Sequence, residues 1–294
     1  MQVRGIVPPI VTPMLANEEI DFPRLRQVID RQIEAGVSAI FVLGTTGECY
    51  ALDLEEKRQV IIAARDHIAG RVPLFAGTGA ETTREAITIT HMAAAEGVAG
   101  ISVITPYFVM PTQAELVGHY RRIADATSLP VILYSNPATC GGLKISPETV
   151  AKLSEVPNIV AIKDSSGDLQ NLIETVRLVP PDFAVLQGRD TLIAPALMFG
   201  AKGAVPASAN IVPHWCVAIF QHVQAGRFED AKAVQAKLSP VRLALMLGTA
   251  PGVVKEAMRI IGWDVGPSRS PIAPLTGNTL AQLRSILDDA GLIP

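Results

Sequence analysis

The sequence predicts an α/β protein folded as a (β/α)8 TIM barrel with a small C-terminal helical extension. Three observations lead to that expectation. Short apolar runs rich in Val and Ile alternate about eight times with longer segments of helical periodicity. The runs are apolar throughout rather than at every second residue, as in parallel strands covered on both faces. An internal echo recurs at 35–48 (AGVSAIFVLGTTGE), 95–108 (AEGVAGISVITPYF) and 199–210 (FGAKGAVPASAN): helix end, glycine, strand, polar loop. A doubly wound open sheet shares the alternation, but no GxGxxG follows the first strand.

In chain order, strands are expected at 6–11, 39–43, 73–76, 100–105, 131–134, 159–163, 183–187 and 204–206. Helices are expected between them at 22–35, 54–68, 83–95, 113–126, 147–153 and 169–178. Their entry signals are Asp21 before Phe22-Pro23, Thr82 with Glu85 three residues on, and Ser146 before Pro147. Gly36, Gly70 and Gly97 provide helix stops. Beyond about residue 222 the strands cease, and helices are expected at 228–238, 241–247, 253–260 and 280–288. Gly/Pro-rich breaks at 248–252 and 266–274 separate them. The expected division is a catalytic barrel over 1–222 and a helical region over 223–294.

The bulk properties narrow the function. Hydrophobic residues make up 49% of the 294 and charged ones 18%, enough for a large core without disulfides. A net charge of −3 offers no electrostatic footing for nucleic acid or anionic membrane. Cys49, Cys140 and Cys216 are odd in number and widely spaced, which suits a reducing cytoplasm rather than a disulfide frame or a CxxC metal site. Residues 1–9 lack the pattern of a signal peptide, and no apolar stretch nears the roughly 20 residues of a membrane span. The expectation is a cytoplasmic enzyme acting on a small molecule.

Active sites of such barrels lie at the carboxyl ends of the strands. The polar residues expected there are Gly44-Thr45-Thr46-Gly47-Glu48, Tyr134, Lys163 and Gly188-Arg189-Asp190. Lys163 ends the apolar run Ile159-Val160-Ala161-Ile162. Burial disfavours an ammonium and leaves some neutral amine, which attacks a ketone to form an imine. A salt bridge to Asp164 is the plainer explanation, although alternation along a strand points that carboxylate to the other face. Tyr134 ends the neighbouring strand, where its hydroxyl could shuttle protons or simply cap the barrel. Thr45 and Thr46 bring hydroxyls and turn amides able to hold a carboxylate, or merely to cap the turn. The five histidines form no HxH or HExxH pattern, and none is expected at a strand end, so no metal site is expected.

These motifs resemble, in order and spacing, the dihydrodipicolinate synthase/N-acetylneuraminate lyase family. The likeness rests on Gly44–Glu48, Thr105-Pro106-Tyr107, Tyr134-Ser135-Asn136-Pro137, Ile162–Gly167, Gly188 and 204–210. The resemblance implies a class I lyase needing no cofactor, with Lys163 as Schiff-base lysine for pyruvate or another 2-oxo acid and Tyr134 as proton shuttle. It further implies Thr45 and Thr46 on the carboxylate, Gly188 and Val205 beside the bound acid, and a homotetramer built as a dimer of dimers.

Two departures bear on the second substrate. Where synthases of lysine biosynthesis carry an arginine for the aldehyde's carboxylate, Thr139 stands here, and their second tyrosine after Thr-Pro is Phe108. Leu54, Lys57 and Glu81 occupy the positions that bind feedback lysine, so no lysine inhibition is implied. The expectation is therefore an aldolase for a 4-hydroxy-2-oxo acid or 2-keto-3-deoxy sugar acid. The alternatives are 4-hydroxy-tetrahydrodipicolinate synthase itself, with carboxylate recognition rebuilt from other residues, a dehydratase or deaminase using the same lysine, and a non-catalytic barrel that binds a small acid.

Overall fold

The structure, a computed structural model, describes residues 3–293. Eight parallel strands form one sheet in the order β1-β8-β7-β6-β5-β4-β3-β2. They are β1 Gly5–Ile6, β2 Ile40–Val42, β3 Leu74–Gly77, β4 Gly100–Ile104, β5 Val131–Ser135, β6 Ile159–Asp164, β7 Ala184–Gln187 and β8 Gly203–Ala204. The sheet closes on itself beyond β1. Pro9 bridges Phe41 of β2, Ile10 N–H donates to Phe41 O, and Phe41 N–H donates to Pro8 O.

The first strand is much shorter than the expected 6–11 because Pro8 and Pro9 have no N–H to give the ladder. Bonding resumes at Ile10, on the other neighbour. The remaining strands fall within about two residues of expectation.

The helices α1 Phe22–Glu34, α2 Leu54–Ile68, α3 Thr83–Ala95, α4 Gln113–Asp125, α5 Pro147–Leu153 and α6 Leu169–Leu178 alternate with the strands. The expected caps form: Asp21 accepts from Arg24 N–H, Thr82 from Glu85 N–H and Ser146 from Thr149 N–H. Reciprocal capping boxes close the starts of α2 (Asp53, Glu56) and α4 (Thr112, Glu115). Gly36, Gly70 and Gly97 follow their helices at φ of +84°, +77° and +77°, the left-handed region that stops a helix.

Two helices lie where none was expected, α7 Ile193–Met198 and α8 Pro213–Gln224. Both are apolar enough to blur the 3.6-residue period; α8 buries Cys216, Val217, Ile219 and Val223. The expected pair 228–238 and 241–247 is one helix, α9 Phe228–Ala244, running through Pro240. An interior proline costs about 3 kcal/mol. Leu238 and Val241, both fully buried on either side of it, pack on the core and outweigh that local penalty. Helices α10 Gly252–Ile260 and α11 Gly277–Asp289 complete the chain. No helix among the described residues is long and apolar enough to cross a membrane.

Strand alternation divides the core in two. Phe41, Phe75, Ile132, Ala161, Leu186 and Val205 fill the barrel interior. Their strand neighbours, among them Ile40, Ala76, Leu133, Ile162 and Val185, face the helices. That parity decides where the chemistry-bearing side chains go.

Candidate active site

Lys163 stands two residues after Ala161 on β6, and Tyr134 two after Ile132 on β5, so both share the interior face. The two residues are also register partners across the strands. The Lys163 ammonium nitrogen lies 4.0 Å from the Tyr134 ring centroid and 5.5 Å from that of Phe41. Lys163 and Tyr134 are each 5% exposed. The lysines in ion pairs among the described residues are Lys144, Lys232 and Lys255, so the plain salt-bridge reading of Lys163 fails. Asp164 turns to the opposite face, where its carboxylate accepts from Ser166 N–H and Asn171 Nδ2. Asn136 Nδ2 donates to the Tyr134 hydroxyl at 3.0 Å, which leaves the phenolic proton free to move.

Above these two residues opens a cavity of about 350 Å³. Thr45, Thr46, Thr139, Gly188 and Val205 all border it with Lys163 and Tyr134. The structure thus brings these seven residues to one place, while Glu48 and Asp190 of the same two loops do not border the cavity.

The threonine turn is tightly specified. Gly47, Glu48 and Cys49 donate their N–H groups back to Gly44 O and Thr45 O, so its internal bonds use neither threonine's N–H. Leu43 and Glu48, at φ of 58° each, bend the chain into and out of it. A Cβ on Gly77 of β3 would come within 2.0 Å of Leu43 O, so only glycine lets β3 run beside this bend. Glu48 leaves the turn downwards, fully buried. Its carboxylate lies 2.5 Å from the Lys255 ammonium of α10 and also accepts from Arg269 N–H. Lys255 donates as well to Pro267 O. Burial pulls its ammonium below the ordinary lysine range while Glu48 opposes that shift.

On the far wall, Gly188 N–H donates to Asp164 O, and a Cβ at Gly188 would meet Ser165 Oγ at 2.0 Å. Val205 is buried and donates its N–H to Gln187 O. Thr139 is exposed at the rim, its hydroxyl donating to Asn136 O at 3.3 Å. The cavity lining also includes Arg189, Arg242 and Leu245. Arg189 was visible in the loop after β7 without a role. Arg242 and Leu245 come from the C-terminal helical region, which the strand-end rule does not reach.

The loop after β4 sets Tyr107 and Phe108 apart from this cavity. Burial and the nearby Glu81 raise the Tyr107 phenol above its ordinary range. Phe108 is 98% exposed at φ 75° and touches nothing of its own barrel mouth. No histidine borders the cavity, and among the described residues no three His, Cys, Asp or Glu side chains cluster as metal ligands.

Comparison with known proteins agrees with this geometry. The sequence model of the Dihydrodipicolinate synthetase family matches residues 2–290. The chain is 39% identical over 290 residues to the 4-hydroxy-tetrahydrodipicolinate synthase of Geotalea uraniireducens (strain Rf4), covering 99% of each. It is 37% identical over 290 residues to that of Syntrophus aciditrophicus (strain SB), again covering 99% of each. Among solved structures, dihydrodipicolinate synthase from Thermotoga maritima superposes with a TM-score of 0.96 at 31% identity, covering 100% of each chain. A prophage protein of the same family from E. coli K12, in complex with pyruvate, superposes at 0.93 with 33% identity, covering 98% of this chain and 99% of its own. The chain belongs to the dihydrodipicolinate synthetase family of class I, pyruvate-dependent lyases and synthases.

Proposed function

We propose that Lys163 is the nucleophile that forms the imine with pyruvate, and that Tyr134 carries the protons. The carrying observation is a buried amine with no acidic partner, packed on the Tyr134 ring in a cavity whose lining holds no Asp or Glu. The amine adds to C2 of pyruvate, and the tyrosine hydroxyl protonates the departing oxygen as water leaves. The iminium withdraws electrons from C3, and the Tyr134 phenolate left by the first step takes a proton from C3 to give an enamine, which attacks an aldehyde; the reverse sequence splits a 4-hydroxy-2-oxo acid. Thr45 and Thr46 hold the pyruvate carboxylate, and Gly188 and Val205 fit against the bound acid.

For the aldehyde, the first reading is aspartate semialdehyde, which makes the protein a 4-hydroxy-tetrahydrodipicolinate synthase. Relatives that match end to end bear that name, so it has better support than the hydroxy-oxo-acid cleavage expected from the sequence. The cleavage reading is kept by Thr139 and Phe108, which supply neither a guanidinium nor a hydroxyl. A coupled assay with pyruvate and aspartate semialdehyde, run beside a pyruvate-release screen of 4-hydroxy-2-oxo acids, decides. Turnover of the semialdehyde below that of a hydroxy-oxo acid reverses the order.

The barrel 1–222 and the helical region 223–294 act as one catalytic unit, because Arg242 of α9 lines the cavity. The molecule works in the cytoplasm, in keeping with three free thiols. It assembles as a homotetramer, for which the bare apolar loop Phe108, Val109 and Met110 is a ready contact. Light scattering on a sizing column tests the assembly.

A further inference from the structure

We infer that Arg189 and Arg242 form an anion subsite at the outer end of the cavity, taking a second carboxylate on the substrate part farthest from Lys163. The inference deepens the imine reading above and rests on it.

The first ground is charge. The chain is net acidic at −3, yet the cavity lining contains three basic side chains, Lys163, Arg189 and Arg242, and no acidic one. Lys163 is assigned to the imine, which leaves two guanidiniums on the cavity lining, of which only Arg242 has an acidic neighbour, Asp190. Thr139 on the β5 loop offers a distal carboxylate no cation, so the cations of the lining come from the loop after β7 and from α9 instead.

The second ground is the state of those guanidiniums. Arg189 enters no ion pair among the described residues, and its backbone N–H is pinned by Gln187 Oε1 at 2.7 Å. Its side chain runs past Gly167, whose missing Cβ would sit 3.5 Å from Arg189 Nε. Arg242 is held from behind by Asp190, with Nε 3.6 Å from Oδ2. That distance is too long for a hydrogen bond, and Nε is buried without a partner. Asp190 Oδ2 is already occupied by the N–H and hydroxyl of Ser208. The carboxylate therefore orients Arg242 without consuming its donors.

Arg269 shows what a structural arginine in this protein looks like. It makes two bonds to the Glu56 carboxylate and one each to Ala51 O and Glu18 O. Arg189 and Arg242 make none of that kind, and a planar fork with free donors matches a carboxylate.

The test compares 2-oxoglutarate with 2-oxopentanoate, which has the same chain length but a methyl group in place of the distal carboxylate. Each is titrated against the full chain and trapped with borohydride, the adduct being weighed by mass spectrometry. The wild type should half-saturate with 2-oxoglutarate at about one-tenth the concentration needed for 2-oxopentanoate, or less. Arg242→Gln and Arg189→Gln should each shrink that ratio, and the double substitution should bring it to within about twofold. Because the ratio is taken within each protein, losses common to both acids cancel, and melting curves identify any unfolded variant. Equal half-saturation in the wild type, or a ratio that survives the double substitution, overturns the subsite. Failure of pyruvate itself to be trapped overturns the imine reading instead. The same two acids are then compared by calorimetry on the unreduced protein, where the ratio decides as before.

Discussion

Two lysines are buried among the described residues, and their surroundings differ in one respect that bears on chemistry as against architecture. Lys255, 2% exposed, lies in the seam between the barrel and the C-terminal helices and is matched by Glu48 and Pro267 O. Lys163, 5% exposed, sits at the barrel mouth against aromatic faces with no carboxylate to balance it. A paired charge in low dielectric holds two elements in place; an unpaired amine is kept at some cost in stability and is free to react. Burial alone does not mark a catalytic lysine. Burial without a counter-ion, beside a cavity, is what supports that role for Lys163.

The largest expected effect breaks the mouth. Lys163→Ala should lower kcat by about 10³-fold or more, on the scale of a lost covalent nucleophile, and abolish the borohydride-trapped pyruvate adduct. Lys163→Met should melt no lower than wild type, since no ion pair is lost; a lower melting temperature would mean that Lys163 stabilises the fold as Lys255 does. Tyr134→Phe keeps the ring and removes the hydroxyl, so kcat should fall by about 10²–10⁴-fold with the fold intact. Stopped-flow measurement of imine formation should show the same step slowed.

At the seam the readout is stability. Glu48→Gln or Lys255→Met each leaves a buried charge unmatched and should cost about 3–5 kcal/mol in urea unfolding. The double variant should lose less than the sum, which a double-mutant cycle measures directly. Glu48 also anchors the turn of Thr45 and Thr46, so the single variants should weaken pyruvate binding as well.

The smallest effect concerns a third buried base. His119, on α4 beside Thr83, is pulled to a pKa of about 4 by burial, with Arg122 adding to the shift. The unfolded chain takes up its proton near pH 6.5, the folded chain only near pH 4. Its neutral-state stability is therefore present above pH 6.5 and lost as the pH falls from there through 4, by at most about 3 kcal/mol. Urea titrations across that window should show the slope, and His119→Gln should flatten it.

Much of this was legible in the chain before any fold was seen. Lys163 and Tyr134 follow from strand alternation and the rule that barrel sites gather at strand ends, both local properties. Two kinds of feature were not legible. One is where packing overrides a local signal: Pro240 reads as a helix break, yet α9 continues because Leu238 and Val241 are buried on either side. The other is long-range delivery. Arg242 reaches the mouth from a helix separated from Lys163 by most of the second half of the barrel, and no periodicity announces that placement. The same holds for the Glu48–Lys255 pair, whose members lie at opposite ends of the sequence.

The missing side chain at Gly77 of β3 constrains inheritance as well as geometry. Because Gly77 leaves room for the Leu43 carbonyl, the turn of Thr45 and Thr46, proposed to hold the carboxylate, depends on a missing methyl group one strand away. An alanine there would push the loop that greets the substrate while leaving every reacting side chain in the sequence untouched. Lineages of this protein that change residue 77 must therefore re-route that loop or lose their hold on the acid.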